Sequence, residues 1–181
     1  MIDLHRQLQG RQSHAAGQHF EQFIESACAW YRERGIAYIE KTPEPMKVLK
    51  PAPNMPGQFI ACFEKSAQPD YKGTVTGGRA VVFEAKHTDG DKIEGKRVTE
   101  EQGHSLDMHQ QLGAVCFVLV SIRRQYFYRV PWPVWKTMKD RFGHQHMTVM
   151  ELNPYLLRFT GPIKFLFEND IGKECGTDAN L

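Results

Sequence analysis

No segment of this 181-residue chain stays apolar long enough to cross a bilayer as a helix. The opening Met1-Ile2-Asp3-Leu4-His5-Arg6-Gln7 lacks the basic-then-apolar layout of a secretory leader. The expected setting is therefore the cytoplasm, with no membrane partner. Cysteine is scarce: Cys28, Cys62, Cys116 and Cys175 stand far apart and form no CxxC pair. That excludes a zinc ribbon and leaves no disulfide framework. Cys28, Cys62 and Cys116 fall in apolar segments, where a free thiol packs as a small hydrophobe. A surplus of one charge is missing too. The formal net charge is only +2, so any basic surface has to come from local clustering. There is no internal repeat and no low-complexity tract. What is present is ordinary for one soluble domain with a real core: 41% hydrophobic and 24% charged residues.

Periodicity places the elements. Residues 1–16 are polar and read as a flexible arm. Phe20, Phe23, Ile24, Ala27, Trp30 and Tyr31 recur at helical spacing, and Gly35 stops that helix. Residues 36–40 read as a short strand. Pro43, Pro45, Pro51, Pro53 and Pro56 exclude a regular core element over 43–57 and leave a loop or an extended projection. Strands are expected over 58–64, 74–76 and 79–86, the last two as a hairpin. Thr99 opens a helix, with Gln102 three residues on in the spacing of a capping box. Residues 114–122 form a strong strand and 125–130 its antiparallel neighbour; Pro133 starts a helix that Gly143 stops. The order helix, strands, helix, strand pair, helix predicts a single α/β domain over 17–170, a mixed central sheet flanked by helices, with a flexible tail over 171–181.

The chemistry is concentrated between Asp70 and Lys86. In an extended strand Glu84 and Lys86 project to one side and Ala85 to the other. Gly73, Gly77 and Gly78 let the chain reverse and bring Asp70 back beside them. Val81, Val82 and Phe83 are apolar on both faces, as in a buried central strand. Charges at the end of such a strand cost free energy unless they are paired or hold a metal. Two carboxylates and one ammonium are the equipment of metal-assisted phosphodiester cleavage: the acids hold Mg²⁺, and the lysine steadies an attacking water or the charge on the phosphate. The bland alternative is a solvated strand face. Pro69-Asp70 followed by Glu84-Ala85-Lys86 resembles the PD-(D/E)xK nuclease motif.

From about Gly17 to about Phe167 the chain also resembles the RecU family of Holliday junction resolvases and its phage-borne relatives. The matching pieces occur in family order: Gly17-x-x-Phe20-Glu21, Tyr31, Lys41-Thr42-Pro43-Glu44-Pro45, Phe63 and Ser66, Asp70-Tyr71-Lys72-Gly73, Gly78-Arg79, Phe83-Glu84-Ala85-Lys86, Gln102, and Gly113-Ala114-Val115-Cys116-Phe117-Val118. Departures are Gln68 where the family has Thr, Glu101 where it has His, and Ala16 where it has Arg.

The resemblance implies a restriction-endonuclease-like core with a projecting stalk, here an insertion around 43–68. It implies that Asp70, Glu84 and Gln102 bind Mg²⁺, with Mn²⁺ serving in its place, and that Gln68 occupies the position of a further ligand. Lys86 would stabilise the transition state, and Glu21 matches an acid on the first helix placed near the metal. For Gln102 the capping box is the alternative, and for Glu21 a solvated helix face. On the stalk, Lys47, Lys50 and Lys65 would meet phosphates; the alternative is a Pro-rich surface loop. Lys72 and Arg79 are further DNA contacts, with Arg6, Arg11, Lys96 and Arg97 as lesser candidates. The partner implied is a four-way DNA junction, bound by a C2 homodimer with two identical sites. The expectation is a Mg²⁺-dependent endonuclease that resolves Holliday junctions by paired symmetric cuts. The alternatives are a nuclease of the same motif acting on flaps, forks or duplex DNA, and a junction-binding module that does not cut.

Overall fold

The computed structural model describes residues 4–43, 45–53, 55–63, 68–158 and 163–171, without the side chains of 4–16, 18 and 63. Lys65, the tail from residue 172, and the side chains of Arg6 and Arg11 lie outside the described part.

Helix α1 spans Leu4–Glu33, so it takes in residues that the sequence reading leaves as an arm. Gly10 is the only residue between Leu4 and Ala16 with a poor helix propensity. The leucines, glutamines, arginines and alanines around it are good helix formers. Further along, Phe20, Ile24, Ala27, Cys28 and Tyr31 are buried, as their spacing predicts. The strands and helices that follow are β1 Ala37–Lys41, β2 Met46–Pro51, β3 Phe59–Phe63, β4 Tyr71–Val75, β5 Ala80–Thr88, β6 Lys92–Glu94, α2 Glu100–Gln111, β7 Val115–Ile122, β8 Tyr126–Pro131, α3 Trp132–Lys136, α4 Met138–Phe142, β9 His146–Thr148 and α5 Val149–Leu152.

Five strands make the main sheet in the order β1-β4-β5-β7-β8. β5 and β7 are parallel and every other neighbouring pair is antiparallel, so the sheet is mixed. The parallel pair needs a crossover, and α2 supplies it. β5 lies in the middle of the sheet, where its unbroken apolar run belongs. Its side chains alternate between two cores. Val81 and Phe83 pack with α1, while Val82 packs with Leu106 of α2 and Trp132 of α3. On the α1 side Tyr71, Phe83 and Phe117 stack across three strands, with ring centroids 4.9 and 4.7 Å apart.

The reversal between β4 and β5 is made by Gly77 and Gly78, both at positive φ. Gly73 is not part of it. It sits mid-strand, where an added Cβ would lie 2.1 Å from the Tyr38 carbonyl oxygen, so β1 crosses too closely for any side chain. The Pro-rich segment is more regular than its sequence suggests: β2 and β3 form a separate antiparallel two-stranded sheet. Every residue of β2 is exposed, and so is Cys62 on β3, because no layer of the domain covers this hairpin. No described helix is long and apolar enough to cross a membrane.

Candidate active site

Asp70 precedes β4, and Glu84 and Lys86 sit on β5, whose pleat turns both to the α2 side of the sheet with Val82. The register sets Tyr71 opposite Phe83, which brings Asp70 alongside Glu84 and Ala85. The Ala85 backbone N–H donates to Asp70 Oδ2 at 2.9 Å and fixes that carboxylate over the strand. Lys86 Nζ donates to Glu84 Oε2 at 2.7 Å and lies 3.7 Å from Asp70 Oδ2. The three side chains singled out in the sequence are therefore one cluster.

Glu84 is the unusual member. It has no exposed surface, and its Oε1 is buried without accepting a hydrogen bond from any described group. Burial is the largest influence on its titration and the charge of Asp70 adds to it. Together they outweigh Lys86 and push the carboxyl up to about 8. Two neighbouring carboxylates repel each other unless positive charge is added. A hard divalent cation supplies that charge and takes oxygen ligands, so the donor set fits one. Among the described residues no three His, Cys, Asp or Glu side chains gather in ligand geometry.

The other candidates are placed differently. Gln102 is buried on α2 and forms the capping box: its Oε1 accepts from the Thr99 N–H at 3.2 Å, and its own N–H donates to Thr99 Oγ1. The bland alternative for this residue is thus realised, and one lone pair of its oxygen is already engaged. Gln68 is exposed and accepts from Lys72 Nζ at 2.9 Å. Glu21 pairs with Lys41 on β1 at 2.7 Å, on the α1 side of the sheet. Lys47 and Lys50 are exposed on the hairpin. Arg79 lies at the other end of β5, where its guanidinium donates to the carbonyls of Gly113 and Asn169 and ties the turn to the chain beneath it. His144 and His146 stack 3.9 Å apart, with His144 Nε2 3.3 Å from Glu151.

Two contributors were not visible as site residues in the sequence. The Ala85 N–H that orients Asp70 is a backbone group, which no residue pattern names. Tyr71 is almost wholly buried, with a hydroxyl that has no partner among the described residues. Burial raises its pKa, and the negative charges of Glu21, Glu25 and Asp70 reinforce the shift. Its ring packs against Phe83 in the α1-side core, and in the sequence it stands only within the matching piece Asp70-Tyr71-Lys72-Gly73.

A family described as RecU, Recombination protein U, matches residues 15–166. The chain belongs to the RecU family. Among curated relatives, a Holliday junction resolvase RecU of Geobacillus sp. (strain WCH70) is 32% identical over 108 residues, covering 58% of this chain and 53% of the relative. Another from Streptococcus gordonii is 30% identical over 125 residues, covering 64% and 61%. One from Bacillus pumilus is 29% identical over 132 residues, covering 70% and 64%. The chain therefore spans between about half and two thirds of the length of these RecU relatives. A solved structure of Archaeoglobus fulgidus Hjc, a Holliday junction resolvase, aligns with a TM-score of 0.46 at 13% identity, over 75% of this chain and 93% of that one. The RecU match takes in the whole Asp70–Glu84–Lys86 cluster and the strands that carry it.

Proposed function

We propose that this chain is a divalent-metal-dependent, structure-selective DNA endonuclease that resolves four-way junctions by paired symmetric cuts, acting as a C2 homodimer. The observation that carries the reading is the fully buried Glu84, to which Lys86 donates at 2.7 Å, with the partly exposed Asp70 beside them and the other Glu84 oxygen left without a donor among the described residues. The family supports the substrate, since its relatives bear the name Holliday junction resolvase.

Asp70 and Glu84 would hold Mg²⁺ or Mn²⁺, with the free lone pairs of Gln102, and Gln68 if Lys72 releases it, as further oxygen donors. When bound, the ion supplies charge neutralisation at the phosphoryl oxygens of the scissile bond. The Ala85 N–H holds Asp70 in one orientation, which removes a rotamer search from the reaction. Glu84 is taken into its ionised form by the positive charge gathered around it. Lys86, released from Glu84 when that acid has other partners, donates to the oxygen on which negative charge develops. Glu21, an acid of the first helix in the position the family places near the metal, is engaged by Lys41 on the α1 side of the sheet and would have to be released to join the site. Lys47 and Lys50 meet junction phosphates from the hairpin, and the same role is proposed for Lys65, which lies outside the described residues. Lys72 lies on the strand that follows Asp70 and meets the backbone of the strand being cut. Two-fold symmetry matches two sites to the two strands that must be cut.

The test is cleavage of a synthetic four-way junction with Mg²⁺, beside linear duplex and flap controls, by the natural chain and Asp70→Asn. The expected result is paired symmetric cuts in the junction alone, reduced at least about a thousand-fold in the variant while junction binding survives. Normal cutting by Asp70→Asn would remove the site assignment. Cutting of flaps or duplex in preference would keep the chemistry and discard the junction. Binding with no cutting of any substrate would favour a non-cleaving module.

A further inference from the structure

On the α2 side of the sheet, the face that carries Glu84 and Lys86, a groove of about 590 Å³ opens between the start of α2 and the pair α3–α4. Lys96, Lys136 and Lys139 come to it from three different elements, and Trp132 and Trp135 form its apolar wall. Lys136 is paired with Asp107 at 2.7 Å, and the same carboxylate accepts from Trp132 Nε1. Lys96, Lys139 and the Trp135 indole N–H make no hydrogen bond or close ion pair among the described residues. Glu100 is the one acid of the lining. The groove is thus a basic channel with donors to spare, and its natural complement is a chain of anions.

Its position is tied to the cluster. Thr99, which lines the groove, caps α2, and Gln102 lies one helical turn further on. Arg97, next to Lys96, donates to the carbonyl of His87, the residue that follows Lys86 on β5. A polymer that lies over Glu84 and Lys86 and continues along this face reaches the groove without leaving the surface. Because both tryptophans are buried, their faces are closed to stacking, which excludes a site that holds unpaired bases. What the groove offers is ammonium and N–H donors, which suit phosphates read without regard to sequence.

Resting on the nuclease reading above, we infer that the groove between α2 and α3–α4 binds the sugar–phosphate backbone of a duplex arm, beyond the point of cleavage. It is a second contact surface, on the domain itself and separate from the β2–β3 hairpin. The two differ in what they hold: the hairpin discriminates the branch, and the groove holds any duplex long enough to reach it.

The test is the salt dependence of DNA binding by the full chain in an Asp70→Asn background, with and without Lys96→Gln and Lys139→Gln together. Each lost phosphate contact lowers the slope of log K against log salt by about 0.9, so the expected fall is about 2, equal on junction and on long duplex. The fall should vanish on junctions with arms progressively shortened. Lys96→Glu with Lys139→Glu should deepen it, and Trp135→Phe, checked for folding by its melting curve, should weaken binding by a smaller factor. An unchanged slope in a background chain that binds junctions overturns the groove while leaving the nuclease reading standing; the groove would then suit an acidic protein. A loss confined to junctions and independent of arm length also overturns it. A background chain that binds neither junction nor duplex removes the nuclease reading and this inference together.

Discussion

Glu84 is ionisable, without exposed surface, and bracketed by one acid and one base, so its titration is coupled to folding. An unfolded glutamate ionises near 4.3, whereas burial and Asp70 hold the folded group up to about 8. The folded chain therefore binds the extra proton throughout that window. This contribution to stability is fully present below the unfolded value and is lost as pH rises through the folded one. At about 1.4 kcal/mol per unit, the loss is on the order of a few kcal/mol. Thermal melts in a chelator at pH 5 and pH 8.5 should show it as a lower melting temperature at the higher pH. Glu84→Gln should flatten the difference, and Mg²⁺ added to the natural chain should recover much of the stability at high pH. An equal pH difference in Glu84→Gln would mean that Glu84 ionises normally. The residue scale is also where the sequence was most legible. The spacing of Glu84 and Lys86 dictates a shared face, and the apolar run ahead of them dictates a buried strand. The roles of the other candidates were not legible, because spacing says nothing about who else competes for a side chain. Gln102 is the exception, since the capping box read from its spacing to Thr99 is present; Lys72 engages Gln68, Lys41 engages Glu21, and two backbone carbonyls engage Arg79.

At the scale of elements the hairpin β2–β3 differs most from its sequence. The strand expected over 58–64 is β3, whereas the prolines leave its partner β2 as a loop or an extended projection; proline is tolerated on an edge, and a two-stranded sheet consists only of edges. Pro51 closes β2, and the other four prolines fall outside its span. Met46, Val48, Leu49 and Phe59 are all more than half exposed. A hairpin left uncovered by the described residues is marginal alone. On the proposed reading, Lys47 and Lys50 would meet junction phosphates there. Lys47→Ala with Lys50→Ala should weaken junction binding several-fold more than duplex binding and lower the salt slope on junctions by about 2. Equal weakening on both substrates would remove the hairpin's role in recognising the branch. Helix α1 teaches the converse lesson. Its polar first half has no apolar stripe to announce it, but it has the propensity, and it continues a helix whose second half is anchored in the core.

At the scale of the whole molecule, residues 163–171, which have no regular strand or helix, run under the sheet and fasten α1 and β8 to its middle. Tyr31 of α1 accepts hydrogen bonds from the backbone N–H groups of Phe165 and Leu166, at 2.7 and 3.0 Å. Phe165 is buried against Phe83 and Phe117. Ile171 packs on the same core. Arg129 of β8 lies between the rings of Phe117 and Phe167 and donates to Asp170 at 2.9 Å, and the other oxygen of Asp170 accepts from the Phe167 N–H. The Tyr31 bonds join residues 134 and 135 positions apart and the Arg129–Asp170 pair residues 41 apart, which is why local patterns do not reveal them. Asp170→Ala would leave a buried guanidinium without a counter-charge and an N–H without an acceptor. The expected cost is about 3–5 kcal/mol, a large part of the 5–15 kcal/mol that holds a typical domain. Asp170→Leu with Arg129→Met removes both charges and should recover most of that loss. Denaturant unfolding of the single and double variants measures both terms. A double variant no more stable than Asp170→Ala would show that the segment is held by the ion pair itself. Recovery would show that the aromatic sandwich around Arg129 does most of the holding, with the charges there to be satisfied once buried.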